Sequence, residues 1–404
     1  MEKILVLNAG STSLKFQLFN IDETHHEVLT KGGVERIGLG GSSLTVKGES
    51  GMPFTTEMPI ANHKEAIKAI LHYLTQKYLK NTDELAAIGH RMGYGGEDFD
   101  RSVAIDDYVM QKLYESLPLI PLHGPAFVHS IEAMNEFVPN VIQVAVFDTS
   151  FHQSVEKAEF LYALPYEMYE KEHVRRYGFH STSHRYAAKK AKEILGYNGK
   201  FICCHLGGGA SVTAIDNGKS VATSMGYTPT SGVIMSTRGG DMDPYIPLHI
   251  MKTQHKTADE VNTMLNKECG LYGLTGGRAD MRDVLEDAEK GDEKCAFAVK
   301  AFVYSLIKTI GSYVTLMGGL DTLIFTAGIG ENSSYIRQLI CEKLQYLGLE
   351  LDETANTATP TPTFINKPTS KVKVIIIPAN EELMIAEDSY QVLKEVQNSE
   401  KKAV

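Results

Sequence analysis

The sequence predicts an α/β protein of two related halves facing one another across a cleft, and a recurring strand–loop–strand device carries that prediction. In residues 3–19 (KILVLNAGSTSLKFQLF), Ile4, Leu5, Val6 and Leu7 form an apolar run and residues 8–13 turn the chain. Leu14, Phe16 and Leu18 then alternate with Lys15, Gln17 and Phe19, so the stretch reads as a buried strand, a tight loop and a second strand. The same order returns about 200 residues later, as expected of a duplicated unit. Residues 201–215 (FICCHLGGGASVTAI) give an apolar strand ending in His205 and Leu206, a turn of Gly207, Gly208 and Gly209, then Ser211 and renewed alternation. A further strand and loop, residues 323–333 (LIFTAGIGENS), set Gly328 and Gly330 before a predicted helix over 334–347. A chain of 404 residues is long enough to bury two sizeable cores.

Gly10 beside Ser11, Thr12 and Ser13 at a hairpin mouth exposes backbone N–H groups, hydroxyls and the Lys15 ammonium on one side. Such a loop suits a phosphate, although glycine and serine are also the commonest turn residues and an ordinary hairpin is the alternative. Recurrence of the device favours the phosphate reading, with a nucleotide's phosphates lying between the halves.

The net charge of -10 argues against broad nucleic-acid or anionic-membrane binding. The N-terminus lacks the pattern of a signal peptide and no apolar run approaches the ~18 residues of a membrane span, so a cytoplasmic enzyme is expected. The five cysteines are two neighbours, Cys203 and Cys204, and three scattered ones, a pattern of reduced core residues rather than of disulfides or zinc ligands.

In chain order, residues 27–55 are turn-rich and alternating and predict short antiparallel strands. Residues 62–80 predict an amphipathic helix opened by a capping box of Asn62 and Glu65. A strand over 85–88 leads to Arg91 at its carboxyl end, followed by Gly93, Gly95 and Gly96, a candidate anion clamp. A strand over 141–147 ends in Asp148, a carboxylate that needs a metal ion or an arginine there. The halves divide here, residues 1–149 with 385–404 forming the one that holds the first phosphate loop and 150–384 the other. His180 follows Arg175 and Arg176 and precedes a helix over 182–195, a positive neighbourhood for an anion. Residues 225–244 are polar, glycine-rich and carry Arg238, as functional loops do. Helices are predicted over 257–266, 278–288 and 292–317. A strand over 372–377 leads to Glu381, which mirrors Asp148, and a helix that closes the chain before a frayed tail from Asn398.

Seven motifs in one order, NAGSTSLKF, VAVFDTSFHQ, RYGFHSTSH, HLGGGAS, STRGGDMDP, FTAGIGENS and ANEELMIA, resemble the acetate kinase family of the acetate and sugar kinase, heat-shock protein and actin superfamily. The resemblance runs from Lys3 into the closing helix. It implies two ribonuclease-H-like domains, each a mixed sheet flanked by helices, an ATP cleft, a homodimer, and reversible γ-phosphoryl transfer to a short carboxylate with Mg2+ or Mn2+. Its catalytic positions fall on Arg91, Asp148, His180 and Arg238, and its metal positions on Asn8 and Glu381. Its phosphate and nucleotide positions fall on Ser11, Ser13, Lys15, His205, Leu206, Gly207, Gly208, Gly209, Asp280, Met281, Arg282, Gly328, Ile329, Gly330, Glu331 and Asn332. Its acyl pocket falls on Arg91, Gly93, Leu122, Phe179 and Pro229.

A short carboxylic acid is ionised at pH 7, so no general base is required and Asp148 is assigned to the metal or to water. The obstacle is bringing an anion to a polyanion, which is why arginines, a histidine and a metal are needed. The chain departs from the family pattern at Met92, Gly93, Tyr94, Gly124, Gly208, Thr230, Ser231, Ser236 and Gly239. Gly93 removes a branched side chain from the acyl pocket, which either admits a longer acid or is filled by Tyr94 or a shifted loop. Acetate is the expected acceptor; propionate or butyrate, and a nucleotide-binding protein without transfer, are the alternatives.

Overall fold

The computed structural model describes residues 1–47, 52–117, 124–357 and 361–403. The chain divides into two compact units, Met1–Ser150 with Asn380–Val404, and Phe151–Ala379. Residues 380–384, expected in the second half, lie in the first unit.

The first unit is built on an eight-stranded sheet of β1 (Glu2–Ala9), β2 (Ser13–Ile21), β3 (His26–Glu35), β4 (Ser43–Lys47), β5 (Pro53–Glu57), β6 (Leu85–Met92), β7 (Val103–Ala104) and β8 (Ile142–Phe147). Its order is β5-β4-β3-β2-β1-β6-β8-β7. β1 to β5 form an antiparallel meander, β1, β6 and β8 run parallel, and β7 closes the edge antiparallel. Helices His63–Lys77 and Gly124–Phe137 pack in one core with Leu5, Leu7, Leu14 and Phe16. The helix Glu381–Ala403 lies against β1, β2, β6 and β8. Gly89 permits its approach, because a Cβ there would collide with Ser389 and Ile385.

The second unit has six strands, β9 (Lys200–Leu206), β10 (Ala210–Asp216), β11 (Lys219–Thr223), β12 (Thr322–Thr326), β13 (Thr363–Phe364) and β14 (Lys373–Ile376). Their order is β11-β10-β9-β12-β14-β13. β9 to β11 are antiparallel, β9, β12 and β14 parallel, and β13 antiparallel at the edge. This repeats β3-β2-β1-β6-β8-β7 strand for strand and direction for direction, so the duplication read from two hairpins extends to both sheets. Helix Glu293–Met317 is long and apolar enough to cross a membrane, yet its stripe of Cys295, Ala298, Val299, Phe302, Leu306 and Ile310 lines this unit's core.

Several expected boundaries move. The first helix spans His63–Lys77; Asn62 caps it, but the Glu65 carboxylate accepts from the N–H of Ala61 rather than of Asn62. Arg91 lies inside β6, not beyond its end. Residues expected as a loop form the short helix Ala327–Asn332, and the closing helix continues through the expected tail to Ala403.

His90 is buried in β6 with Nε2 2.7 Å from Gln143 Oε1, and burial pushes its imidazole down to about 4. The unfolded chain takes up this proton near pH 6.5, so the stability tied to neutral His90 is complete above that pH and is lost as pH falls through 4. Denaturant unfolding of the wild type between pH 7 and pH 4 is expected to lose about 3 kcal/mol more than that of His90→Gln. Equal losses would contradict this assignment.

Candidate active site

In the first unit, β8 ends at Asp148, whose backbone N–H donates to the Met92 carbonyl and whose side chain is buried. Arg91, on the neighbouring strand, donates from Nη2 to Asp148 Oδ2 at 2.6 Å. Its Nε makes no hydrogen bond among the described residues and stands 3.8 Å from Glu381 Oε2. Asp148 foremost holds the Arg91 guanidinium above its ordinary value. Burial pushes the Glu381 carboxyl up to about 7, Asp148 and Glu382 adding to the rise and Arg91 and Lys15 opposing it. Two carboxylates thus share one arginine.

Ser11 and Lys15 are exposed, and Asn8 and Lys15 line a cavity of about 500 Å³ with Lys31, Lys47 and Glu382. The turn is tight: Gly10 N–H donates to the Ser13 carbonyl, and a Cβ on Gly10 would press on Ser13 Oγ. His63 Nε2 holds the Gly10 carbonyl at 2.7 Å.

In the second unit, His180 adopts left-handed backbone angles (φ 56°) just before helix Ser181–Leu195. Its ring stacks on His205, centroids 4.1 Å apart, and its Nδ1 lies 2.9 Å from Ser211 Oγ. Arg238 Nη1 donates to the Pro229 carbonyl at 2.7 Å, and burial lowers its guanidinium pKa. His205 and Leu206 end β9, leaving residues 207–209 as the turn. Gly209 lies where these groups converge: a Cβ there would stand 3.1 Å from Arg238 Nη2 and 3.2 Å from His180 Nε2. Gly209→Ala is therefore expected to displace one of them and cut kcat by roughly 10- to 100-fold, with thermal stability little changed. A variant with wild-type kcat would show that this convergence is not used. Gly208 has open space on its Cβ side, Ser236 Oγ being 3.9 Å away.

Gly328, Ile329, Gly330, Glu331 and Asn332 lie on the short helix Ala327–Asn332. Buried Arg337 donates from Nη1 to the carbonyls of Gly330 and Glu331, and Asn332 donates to that of Gly328. Asp280 caps helix Met281–Glu289 and pairs with Arg282 Nη2 at 2.6 Å, which brings its carboxyl down to about 2. Met281 is buried in the core.

Of the expected pocket residues, Phe179 packs in the second core and Leu122 lies outside the described residues. The space beside Gly93 is met by Phe127, whose ring atoms would be 3.2 and 3.3 Å from a Cβ there. Sequence reasoning did not anticipate Phe127. It also missed His152, His184, Ser183 and Ser211, which join His180 and His205 in one buried cluster. The signals available were Ser183 and His184 in the first turn of the helix that follows His180 and the cross-strand pairing of Ser211 with His205. Among the described residues, no group of three or more histidine, cysteine, aspartate or glutamate side chains is assembled as a metal cage.

The sequence model of the acetokinase family matches residues 3–387. The chain belongs to the acetokinase family. Within that family, the acetate kinase of Treponema denticola is 47% identical over 398 residues, 97% of this chain and 100% of that protein. The crystal structure of Porphyromonas gingivalis acetate kinase superposes with a TM-score of 0.92 at 39% identity, covering 97% of this chain and 100% of that one. A propionate kinase from Francisella tularensis superposes with a TM-score of 0.91 at 38% identity over the same shares. Membership in the acetokinase family accounts for the paired ribonuclease-H-like sheets.

Proposed function

We propose that this chain transfers the γ-phosphoryl group of ATP reversibly to acetate, giving acetyl phosphate and ADP. The observation that carries the reading is the Arg91–Asp148–Glu381 group, a half-buried guanidinium held between two carboxylates, in a member of the acetokinase family. In this reading Arg91 orients the acceptor carboxylate. Ser11, Ser13, Lys15 and residues 207–209 receive phosphates, Arg238 and His180 meet charge on the equatorial phosphoryl oxygens, and the helix Ala327–Asn332 with Asp280 and Arg282 holds the adenosine. Asp148 and Glu381, with Asn8, suit a magnesium or manganese ion, which takes one or two carboxylates and fills its shell with phosphate oxygens and water. Such an ion supplies positive charge against the transferring phosphate. A homodimer and a cytoplasmic location are part of the same proposal, supported by the family resemblance.

A second reading, a propionate kinase, is favoured by the absent side chain at Gly93 and by the likeness to the Francisella enzyme. Against it stands the Phe127 ring, which already meets the space beside Gly93. The test is kcat/KM with formate, acetate, propionate, butyrate and isobutyrate, using ATP and magnesium and trapping the acyl phosphate as hydroxamate. Acetate is expected to lead propionate by roughly tenfold, the worth of one methylene in a closed pocket. Propionate in the lead would replace acetate as the substrate, and no turnover with any acid would sink the kinase reading.

A further inference from the structure

We propose that Ser211 and His184 are positioning residues that hold His180 in the tautomer carrying its proton on Nε2. Ser211 Oγ lies 2.9 Å from His180 Nδ1 and 2.7 Å from His184 Nε2. Ser211 is buried and, among the described residues, its hydroxyl reaches these two ring nitrogens, so its single proton goes to one of them and its oxygen accepts an N–H from the other. The direction of the relay is decided at its buried end.

His184 is 0% exposed, and its Nδ1 meets no hydrogen-bond partner among the described residues. Burial, with His152 and His205 adding to it, pushes its imidazole well below the ordinary value, so the ring is neutral and carries a single N–H. Were that proton on Nδ1, a donor would be buried unpaired, a costlier orphan than a bare ring nitrogen. The proton therefore sits on Nε2 and is donated to Ser211 Oγ. The hydroxyl proton then turns to His180 Nδ1, which accepts. With Nδ1 accepting, the His180 ring carries its own proton on Nε2.

That edge faces residues 207–209: His180 Nε2 is 3.2 Å, and Arg238 Nη2 3.1 Å, from the point where a Cβ on Gly209 would stand. The ring is kept in place by stacking on His205, whose Nδ1 is in turn 2.8 Å from Ser183 Oγ. An anion on the glycine turn thus meets an N–H, whereas the other tautomer would offer it a lone pair. The catalytic consequence rests on the proposed role of His180 in phosphoryl transfer; the tautomer does not.

The test is the long-range 1H–15N spectrum of the full chain labelled with 15N-histidine at pH 8, the His180 signals being those absent from His180→Asn. The proposal expects a protonated Nε2 and a bare Nδ1 on His180. A proton on Nδ1, or an even mixture, overturns it. Ser211→Ala should let the His180 tautomers mix and lower kcat by roughly tenfold or more with the KM for ATP little changed. His184→Leu should do the same, and His184→Gln, which keeps an N–H at the same reach, should restore kcat to within a few-fold. If Ser211→Ala leaves the His180 tautomer as in the wild type, the relay is refuted. If the tautomer mixes but kcat does not fall, the relay stands and the role of His180 in transfer fails.

Discussion

Replacing Arg238 with alanine is expected to lower kcat by about 10³-fold or more while the protein keeps its fold, the effect of removing a guanidinium that meets transition-state charge on phosphorus. The contrast follows from how little the fold asks of this side chain. Among the described residues its hydrogen bond is at one end, where Nη1 donates to the Pro229 carbonyl at 2.7 Å, and losing one such bond costs about 1 kcal/mol. Nη2 instead faces Gly209 beside His180. Lysine should not rescue the variant, because an ammonium cannot span two oxygens as the planar fork does. Steady-state kinetics with a thermal melt on the same preparation checks this; a fall in kcat below tenfold would remove Arg238 from the chemistry.

Arg91→Ala has the opposite signature, damaging stability as well as turnover. Asp148 is 1% exposed and pairs with Arg91 at 2.6 Å, and Glu381 Oε2 stands 3.8 Å from the same guanidinium. Removing one partner of a buried ion pair costs about 3 kcal/mol or more. Asp148→Asn in the same chain should recover much of that loss without recovering activity, since the clamp proposed for the acceptor carboxylate is still missing. Urea unfolding of the single and double variants distinguishes the two effects. Additive losses of stability in the double variant would mean the pair is not coupled.

Much of the architecture was legible because the strands beside the glycine turns are continuous apolar runs, as central strands covered on both faces must be. Residues Ile4 to Leu7 and Phe201 to Cys204 are of that kind, and all are buried. Helices Gly124–Phe137 and Tyr245–Gln254 were not read, the first opening on Gly-Pro and the second lacking a side-chain cap. The helix Ala327–Asn332 was hidden by Gly328 and Gly330, which signal a loop; buried Arg337, gripping two of its carbonyls, supplies a tertiary reason that local propensity lacks. At the candidate site, Arg91 and Asp148 could be placed near strand ends from pattern alone. The approach of Glu381 to Arg91 depends on the chain's return to the first unit, and Ser211 and His184 are buried polar residues whose partners only the fold reveals.

The matched sheets also allow the two units to be compared position by position. Pairing Ala9 with Leu14 in one hairpin corresponds to Leu206 with Ala210 in the other, and the neighbouring registers then bring Arg91 onto Thr326 and Asp148 onto Ala379. One copy of the ancestral frame carries a guanidinium and a carboxylate where the other carries a small hydroxyl, buried and without a hydrogen-bond partner among the described residues, and a methyl group. A division of labour has been written onto equivalent backbone: at these positions one copy carries charge, while the other has the shorter, three-glycine turn and its histidines. Grafting arginine onto Thr326 would bury a cation with no carboxylate to receive it, so the copies have ceased to be interchangeable even though their strands still are.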